Sequence, residues 1–219
     1  MCEDWIILVA KAPRLGLSKT RLAGDIGAES AQRLAEAFVL DTLDLALARP
    51  GTRVLIAYAP DDARAWFAAR APQAELVPQP DGDLGARMAA AFAHGLGDQR
   101  RCVMIGMDTP HLDPGRLDEA FEALGADCDV VLGPTEDGGY YLIGLKEPAP
   151  GLFMDMTWST AEVLGETLER AGRLGLAECQ LPLELDVDDG ADLERLRELL
   201  RSSSRAPATR EALRLIDSQ

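Results

Sequence analysis

Cys102-Val103-Met104-Ile105-Gly106-Met107-Asp108-Thr109-Pro110 is the stretch around which the chain is organised. Val103 to Met107 is an apolar run without polar alternation, the pattern of a strand buried on both faces. It stops on a carboxylate and a proline-bearing turn. An Asp at the carboxyl end of a central strand in an open α/β sheet stands where such sheets bind ligands. Asp-Thr-Pro is also good turn chemistry, so Asp108 reads as a ligand or as a turn residue. Asp113-Pro114 then opens a helix as N-cap and first helical residue.

Upstream, Trp5 to Ala10 is another buried strand, and it runs into Lys11-Ala12-Pro13-Arg14-Leu15-Gly16-Leu17-Ser18-Lys19-Thr20-Arg21. The protein has only three lysines, and Lys11 and Lys19 share this loop with Arg14 and Arg21. In a chain of net charge −15, such a cluster suggests an oligophosphate cradle. Backbone N–H groups near Gly16 and a helix start at Ser18 would add neutral donors. The plain alternative is a solvated loop. In the phosphate cradle too Lys19 is expected to be an exposed loop residue, so that its removal weakens nucleotide binding and leaves stability nearly unchanged. Ser18 stands where a Walker A loop needs Gly, and no G-x-G-x-x-G follows any predicted strand. Neither a P-loop nor a dinucleotide fold is indicated.

The intervening chain alternates. An amphipathic helix covers about Ala31 to Ala48, a strand Arg53 to Tyr58, a short helix follows Asp61, and Glu75 to Val77 is a third strand. That order signals a parallel sheet. Pro78 to Asp83 is a turn-rich loop feeding a helix, where Leu84-Gly85 would let a flat ligand approach the backbone. Arg87 opposes the helix dipole in the first turn, poor placement unless it meets an anion or a base edge; otherwise it is a surface arginine. Downstream, Asp129 to Pro134 and Tyr141 to Leu145 are strands around Thr135-Glu136-Asp137-Gly138-Gly139-Tyr140. Asp137 reads as a tight-turn residue or as a group facing an acceptor. Ser159 to Glu162 has the pattern of a capping box. A last strand runs from Cys179 towards Asp186-Val187-Asp188-Asp189. Asp189 and Asp192 suit N-cap and N3 of the next helix, whereas Asp186 and Asp188 are not needed for capping. Ser202 to Pro207 looks like a flexible break before a short terminal helix.

The 219 residues, 47% of them hydrophobic, suit one α/β domain. No apolar run approaches the ~18 residues of a membrane span, and the first strand leaves no room for a leader. The acidic balance argues against nucleic-acid or anionic-membrane partners. Cys2, Cys102, Cys128 and Cys179 lack metal-site spacing, so reduced, buried thiols in a cytoplasmic protein are expected. His94 and His111 lie near no candidate serine nucleophile, which disfavours a Ser-His-Asp hydrolase.

Taken in order, Lys19-Thr20-Arg21-Leu22-Ala23, Leu84 to Met88, Gly106 to Pro110, Gly133 to Tyr140, and Asp186 to Asp188 with Asp192-Leu193 resemble the nucleotide-diphospho-sugar transferase superfamily. Within it the resemblance is closest to the radical-SAM/selenodomain-associated transferases, relatives of 2-phospho-lactate guanylyltransferase. It spans roughly Trp5 to Leu200. It implies a single Rossmann-like GT-A domain over residues 1–201, with a mostly parallel mixed sheet of about seven strands flanked by helices. Residues 202–219 would form the break and terminal helix. It also implies that Lys11, Gly16, Lys19, Arg21, Leu84, Gly85 and Arg87 bind the nucleotide. Asp108 and Asp188 would share a divalent metal, Mg²⁺ or Mn²⁺, and Asp137, Gly138, Gly139 and Tyr140 would face the acceptor. Lys19, Asp108 and Asp137 would carry the chemistry. The superfamily's glycine-rich loop after strand one is represented here by Gly16 alone. The expected activity is nucleotidyl or glycosyl transfer from a nucleoside triphosphate or nucleotide-sugar to a small acceptor. A non-catalytic nucleotide-binding module is the alternative.

Overall fold

The computed structural model describes residues 3–97 and 100–218, so the expectation for Cys2 lies outside the described residues. In chain order the elements are β1 (Glu3–Lys11), α1 (Thr20–Ile26), α2 (Ala28–Ala48), β2 (Thr52–Ala59), α3 (Arg64–Arg70), β3 (Glu75–Pro78) and α4 (Leu84–Gly95). Then come β4 (Arg100–Ile105), α5 (Pro114–Gly125), β5 (Val130–Pro134), β6 (Tyr140–Leu145), α6 (Val163–Arg173), β7 (Glu178–Gln180), α7 (Gly190–Arg201) and α8 (Pro207–Asp217).

The strands form one seven-stranded sheet in the order β3-β2-β1-β4-β6-β5-β7. β6 runs antiparallel to both β4 and β5, and the remaining neighbours are parallel. The fold is thus the expected mostly parallel mixed sheet with helices on both faces. Strand alternation divides the core. Ile6, Leu8, Ile56, Val103 and Ile105 pack under Val39 and Leu43 of α2, Phe67 of α3 and Phe121 of α5. Trp5, Ile7, Leu55 and Met104 face the other way, onto Met88 and Phe92 of α4 and Ala171 of α6.

Four details depart from the sequence reading. β4 ends at Ile105, opposite Leu142, so Asp108 lies three residues beyond the strand on a turn. β7 is only three residues long; after Leu181, whose N–H still reaches Leu132 O at 2.8 Å, comes Pro182, which has no N–H to extend the ladder, and the chain continues as an irregular extended segment. Its Glu184 N–H reaches Pro134 O at 3.1 Å and its Val187 N–H reaches Asp108 O at 2.9 Å. The Ser159–Glu162 capping box does not form. α6 starts at Val163, and the Leu164 N–H is satisfied by the Gly138 carbonyl at 2.8 Å, a tertiary partner in place of a local one. The Asp189–Asp192 capping box on α7 does form.

The last departure concerns residues 202–218, which pack onto the domain through α8. Asp41 of α2, buried, accepts hydrogen bonds from Ala208 N–H (2.9 Å), Thr209 N–H (2.7 Å) and Thr209 Oγ1 (2.6 Å), and so caps α8. Ala206, Ala212 and Leu213 complete a third apolar cluster with Leu34 and Phe38 of α2 and Leu193 and Leu196 of α7.

Cys128 and Cys179 form a disulfide, Cα atoms 5.9 Å apart, which overturns the expectation of reduced thiols for this pair. The partners are 51 residues apart in sequence, and only the parallel pairing of β5 with β7 brings them together. Cys102 is buried within β4. The cysteine argument for a cytoplasmic location lapses with this bond. Among the described residues no helix is long and apolar enough to cross a membrane.

His111, on the turn after β4, is buried, and its pKa is pulled from 6.5 down to about 4 by burial and by the Arg205 charge. Glu184, 3.8 Å from its Nε2, favours the imidazolium but does not offset these effects. A depressed folded pKa gives stability that is present above pH 6.5 and lost as pH falls from 6.5 towards 4. The expected loss is about 3 kcal/mol. Urea unfolding across that window should show it, and His111→Leu should flatten this part of the profile.

Candidate active site

A cleft of about 750 Å³ opens where β1, β4 and β5 end at their carboxyl termini. Lys11, Lys19, Arg21, Leu84, Arg87, Asp108, Asp137, Gly139, Tyr140 and Asp188 all line it. Residues from five separated stretches are thereby brought together. Gly16, Gly85 and Gly138 are not among the lining residues.

At its centre Asp108, Asp186 and Asp188 place one carboxylate oxygen each within 4.8 Å of one another. The backbone explains this. Asp108 sits on the turn after β4, and the Val187 N–H bound to its carbonyl holds the two flanking acids of the extended segment beside it. The sequence reading assigns the metal to Asp108 and Asp188, and the structure adds Asp186 to the group. Its signal was present in the Asp-x-Asp spacing, unexplained by capping. Burial, then the Asp108 charge, pushes the Asp186 carboxyl well above the usual carboxylate range. Thr109 Oγ1 donates to Asp186 Oδ1 at 3.3 Å. Three close carboxylates without His or Cys form a hard oxygen donor set suited to Mg²⁺ or Mn²⁺, and their crowded charge favours a divalent cation.

The expectation that Lys19 is an exposed loop residue is overturned. Its side chain is 10% exposed, with Nζ 2.5 Å from Asp108 Oδ1 and 3.1 Å from Asp188 Oδ1. Burial alone would lower its pKa, but the Asp108 and Asp188 charges reverse that and raise it, so the ammonium is fully charged. Removing Lys19 leaves repelling carboxylates behind, so stability should fall.

The rest of the cationic loop divides. Lys11 and Arg21 are exposed at the cleft. Arg14 is drawn away into an ion pair with Asp62. Gly16 serves the turn, with φ 73°. The N–H groups of Leu17 and Ser18 turn inward to the Arg14 carbonyl at 3.1 and 3.2 Å, so the expected backbone donors there are already spent. The helix begins at Thr20, with Lys19 as a left-handed N-cap, and not at Ser18.

On the far side of β1, Gln79 was also missed. Its Nε2 donates to Ala57 O (2.7 Å) and Ala10 O (3.2 Å), which fixes the amide and turns Oε1 towards Arg87 Nη1 at 3.5 Å. Arg87 is therefore no plain surface arginine, and its Nε is buried without an acceptor among the described residues. Gly85 has a different role from the one expected. A Cβ there would meet Phe153 O at 2.4 Å and the Trp158 indole at 3.0 Å, so the glycine admits the protein's own segment and not a flat ligand. Trp158 itself lines the cleft.

In the loop between β5 and β6, Asp137 Oδ1 accepts from Thr135 Oγ1 (2.6 Å) and from Gly139 N–H (3.1 Å). Turn chemistry is thus present, yet the side chain is exposed at the cleft and its charge reaches Asp186. Gly138, at φ 88°, has no room for a Cβ because the Ala161 backbone occupies it. Burial holds the Tyr140 phenol above its usual range, so it stays protonated.

Residues 42–160 match a family of bacterial proteins described as "Uncharacterized protein conserved in bacteria", DUF2064. The chain belongs to the DUF2064 family. A candidate nucleotide-diphospho-sugar transferase of Desulfovibrio desulfuricans G20 shares 34% identity with this DUF2064 member, over 100% of this chain and 98% of its own, at a TM-score of 0.88. Rv0371c of Mycobacterium tuberculosis H37Rv, solved with manganese, is 19% identical over 90% of this chain and 99% of its own, TM-score 0.57. CMP:2-keto-3-deoxy-manno-octonic acid synthetase, solved with CTP, is 16% identical over 90% and 98%, TM-score 0.54. The last two likenesses show a shared fold alone. No curated protein matches the chain.

Proposed function

We propose that this DUF2064 protein is a divalent-metal-dependent transferase that takes a nucleotide-sugar as donor and moves the glycosyl group to a small hydroxyl-bearing acceptor. The observation that carries the reading is the convergence of Asp108, Asp186 and Asp188 with Lys19 at the sheet's carboxyl edge, beside Lys11 and Arg21. The likeness to a candidate nucleotide-diphospho-sugar transferase supports it. So does the manganese in a protein of the same fold.

Asp108, Asp186 and Asp188 would hold the ion, which when bound supplies positive charge to the donor's phosphates. Lys11 and Arg21 bind the same phosphates from the loop side. Gln79 and Arg87 meet the nucleobase with an acceptor and a fork of donors. Asp137 orients the acceptor hydroxyl and takes its proton on a carboxylate oxygen. A diphosphate is the better fit because the loop after β1 offers few donors. Its one glycine is followed by N–H groups bonded inward, and Arg14 is engaged by Asp62.

Nucleotidyl transfer is the second reading, favoured by the CTP bound to a protein of the same fold. Incubating the protein with nucleoside triphosphates and nucleotide-sugars, Mg²⁺ or Mn²⁺ and a pool of small acceptors, followed by mass spectrometry, separates them. Nucleoside diphosphate release with a glycosylated product is expected. Pyrophosphate release would replace the reading by nucleotidyl transfer, and binding without turnover by a non-catalytic module.

A further inference from the structure

We propose that Lys19 and the divalent ion are alternative occupants of one carboxylate cluster, so that metal binding releases Lys19 to the donor's phosphates. The inference rests on the metal-dependent reading above. Lys19 Nζ makes contacts of 2.5 Å to Asp108 Oδ1, 3.1 Å to Asp188 Oδ1 and 2.5 Å to the Val187 carbonyl. An ammonium has three donors, and these three oxygens use all of them. Asp108 and Asp188 are also two of the three acids whose oxygens gather within 4.8 Å. A magnesium-type ion needs its oxygens at about 2.1 Å, so it would claim the carboxylates that the ammonium now holds. Two cations sharing so small a space repel strongly. One must leave, and the divalent ion is the stronger claimant on three acids.

Lys19 has somewhere to go. It caps α1 between Lys11, at the end of β1, and Arg21, in the first turn of α1, and all three line the cleft. Its flexible four-carbon stem can carry the charge from the aspartates to a phosphate without moving the backbone. While Lys19 is bound to Asp108 and Asp188, its donors are not available to a donor substrate. Metal occupancy therefore precedes a full phosphate grip, and the two binding events are coupled through one side chain.

Amine labelling of the intact protein with trace acetic anhydride, mapped by mass spectrometry, tests this directly. Lys11, Lys19 and Lys146 are the only lysines, so the other two serve as internal references. With Mn²⁺ occupancy established by calorimetry, Lys19 labelling should rise about tenfold against Lys11 and Lys146, the scale for freeing a group from charge-assisted pairing. Unchanged labelling at demonstrated occupancy overturns the exchange and leaves the metal reading standing. Absence of any Mn²⁺ binding overturns both. In addition, Lys19→Met should bind Mn²⁺ about tenfold more tightly than the unaltered protein when no nucleotide is present, because the competing cation is gone. Equal or weaker binding in a folded variant overturns the exchange. Should that variant fail to fold, the labelling of the unaltered protein decides alone.

Discussion

Asp186→Asn should lower divalent-ion affinity by about 100-fold and turnover by about a thousandfold, while making the protein more stable. The two effects have one cause. Asp186 is held against Asp108 in a partly buried site, where burial and the neighbouring charge both disfavour its ionised form. Its carboxyl therefore titrates above the usual range. An acid with a raised folded pKa gives stability that is full at low pH and lost as pH rises through that raised value. Above it the ionised Asp186 is a cost to the fold, which a divalent ion would offset. Asn keeps the shape and removes the charge, so a gain of about 1 kcal/mol should appear at pH 8 and shrink as pH falls towards 5. Thermal melts at the two pH values, beside Mn²⁺ titration by calorimetry, check both parts. A variant that is less stable at pH 8 and still binds the ion would show that Asp186 is an ordinary buried acid.

Asp137→Asn should cost about 100- to 10,000-fold in turnover with donor and metal affinity intact. Asn accepts the same hydrogen bonds from Thr135 Oγ1 and Gly139 N–H, so the turn survives. What it loses is the basic oxygen facing the cleft. Lys11, Arg21 and the three clustered aspartates are untouched, so binding measured by calorimetry should not change. Turnover within a fewfold of the unaltered protein would make Asp137 a turn residue only.

The two sites differ in how far each was legible in one dimension. Asp108 could be read because an apolar strand that stops on an acid is a local signal. The Asp137-Gly138-Gly139 loop could be located but not interpreted, since an Asx turn and an acceptor-facing base use the same residues. Lys19 stands out in the sequence for its charge, but its burial leaves no local signal. Nothing in Ser18-Lys19-Thr20 tells that Val187 and Asp188, 168 and 169 residues away, supply its partners. Gly85 was noticed for its missing Cβ, and the space turned out to be filled by Phe153 and Trp158.

The sequence by itself determined the alternation of strands and helices, the buried character of β1, β4 and β5, the caps on α5 and α7 and the cationic loop. These follow from hydrophobic period, side-chain capping and composition, all of which act over a few residues. Only the tertiary structure decided that β6 runs antiparallel between β4 and β5, that α8 docks on Asp41, and that Cys128 meets Cys179. It also decided that Asp186 joins Asp108 and Asp188. Each depends on which distant segments lie side by side, and the register of a sheet and the path of an irregular segment are set by packing summed over the whole core.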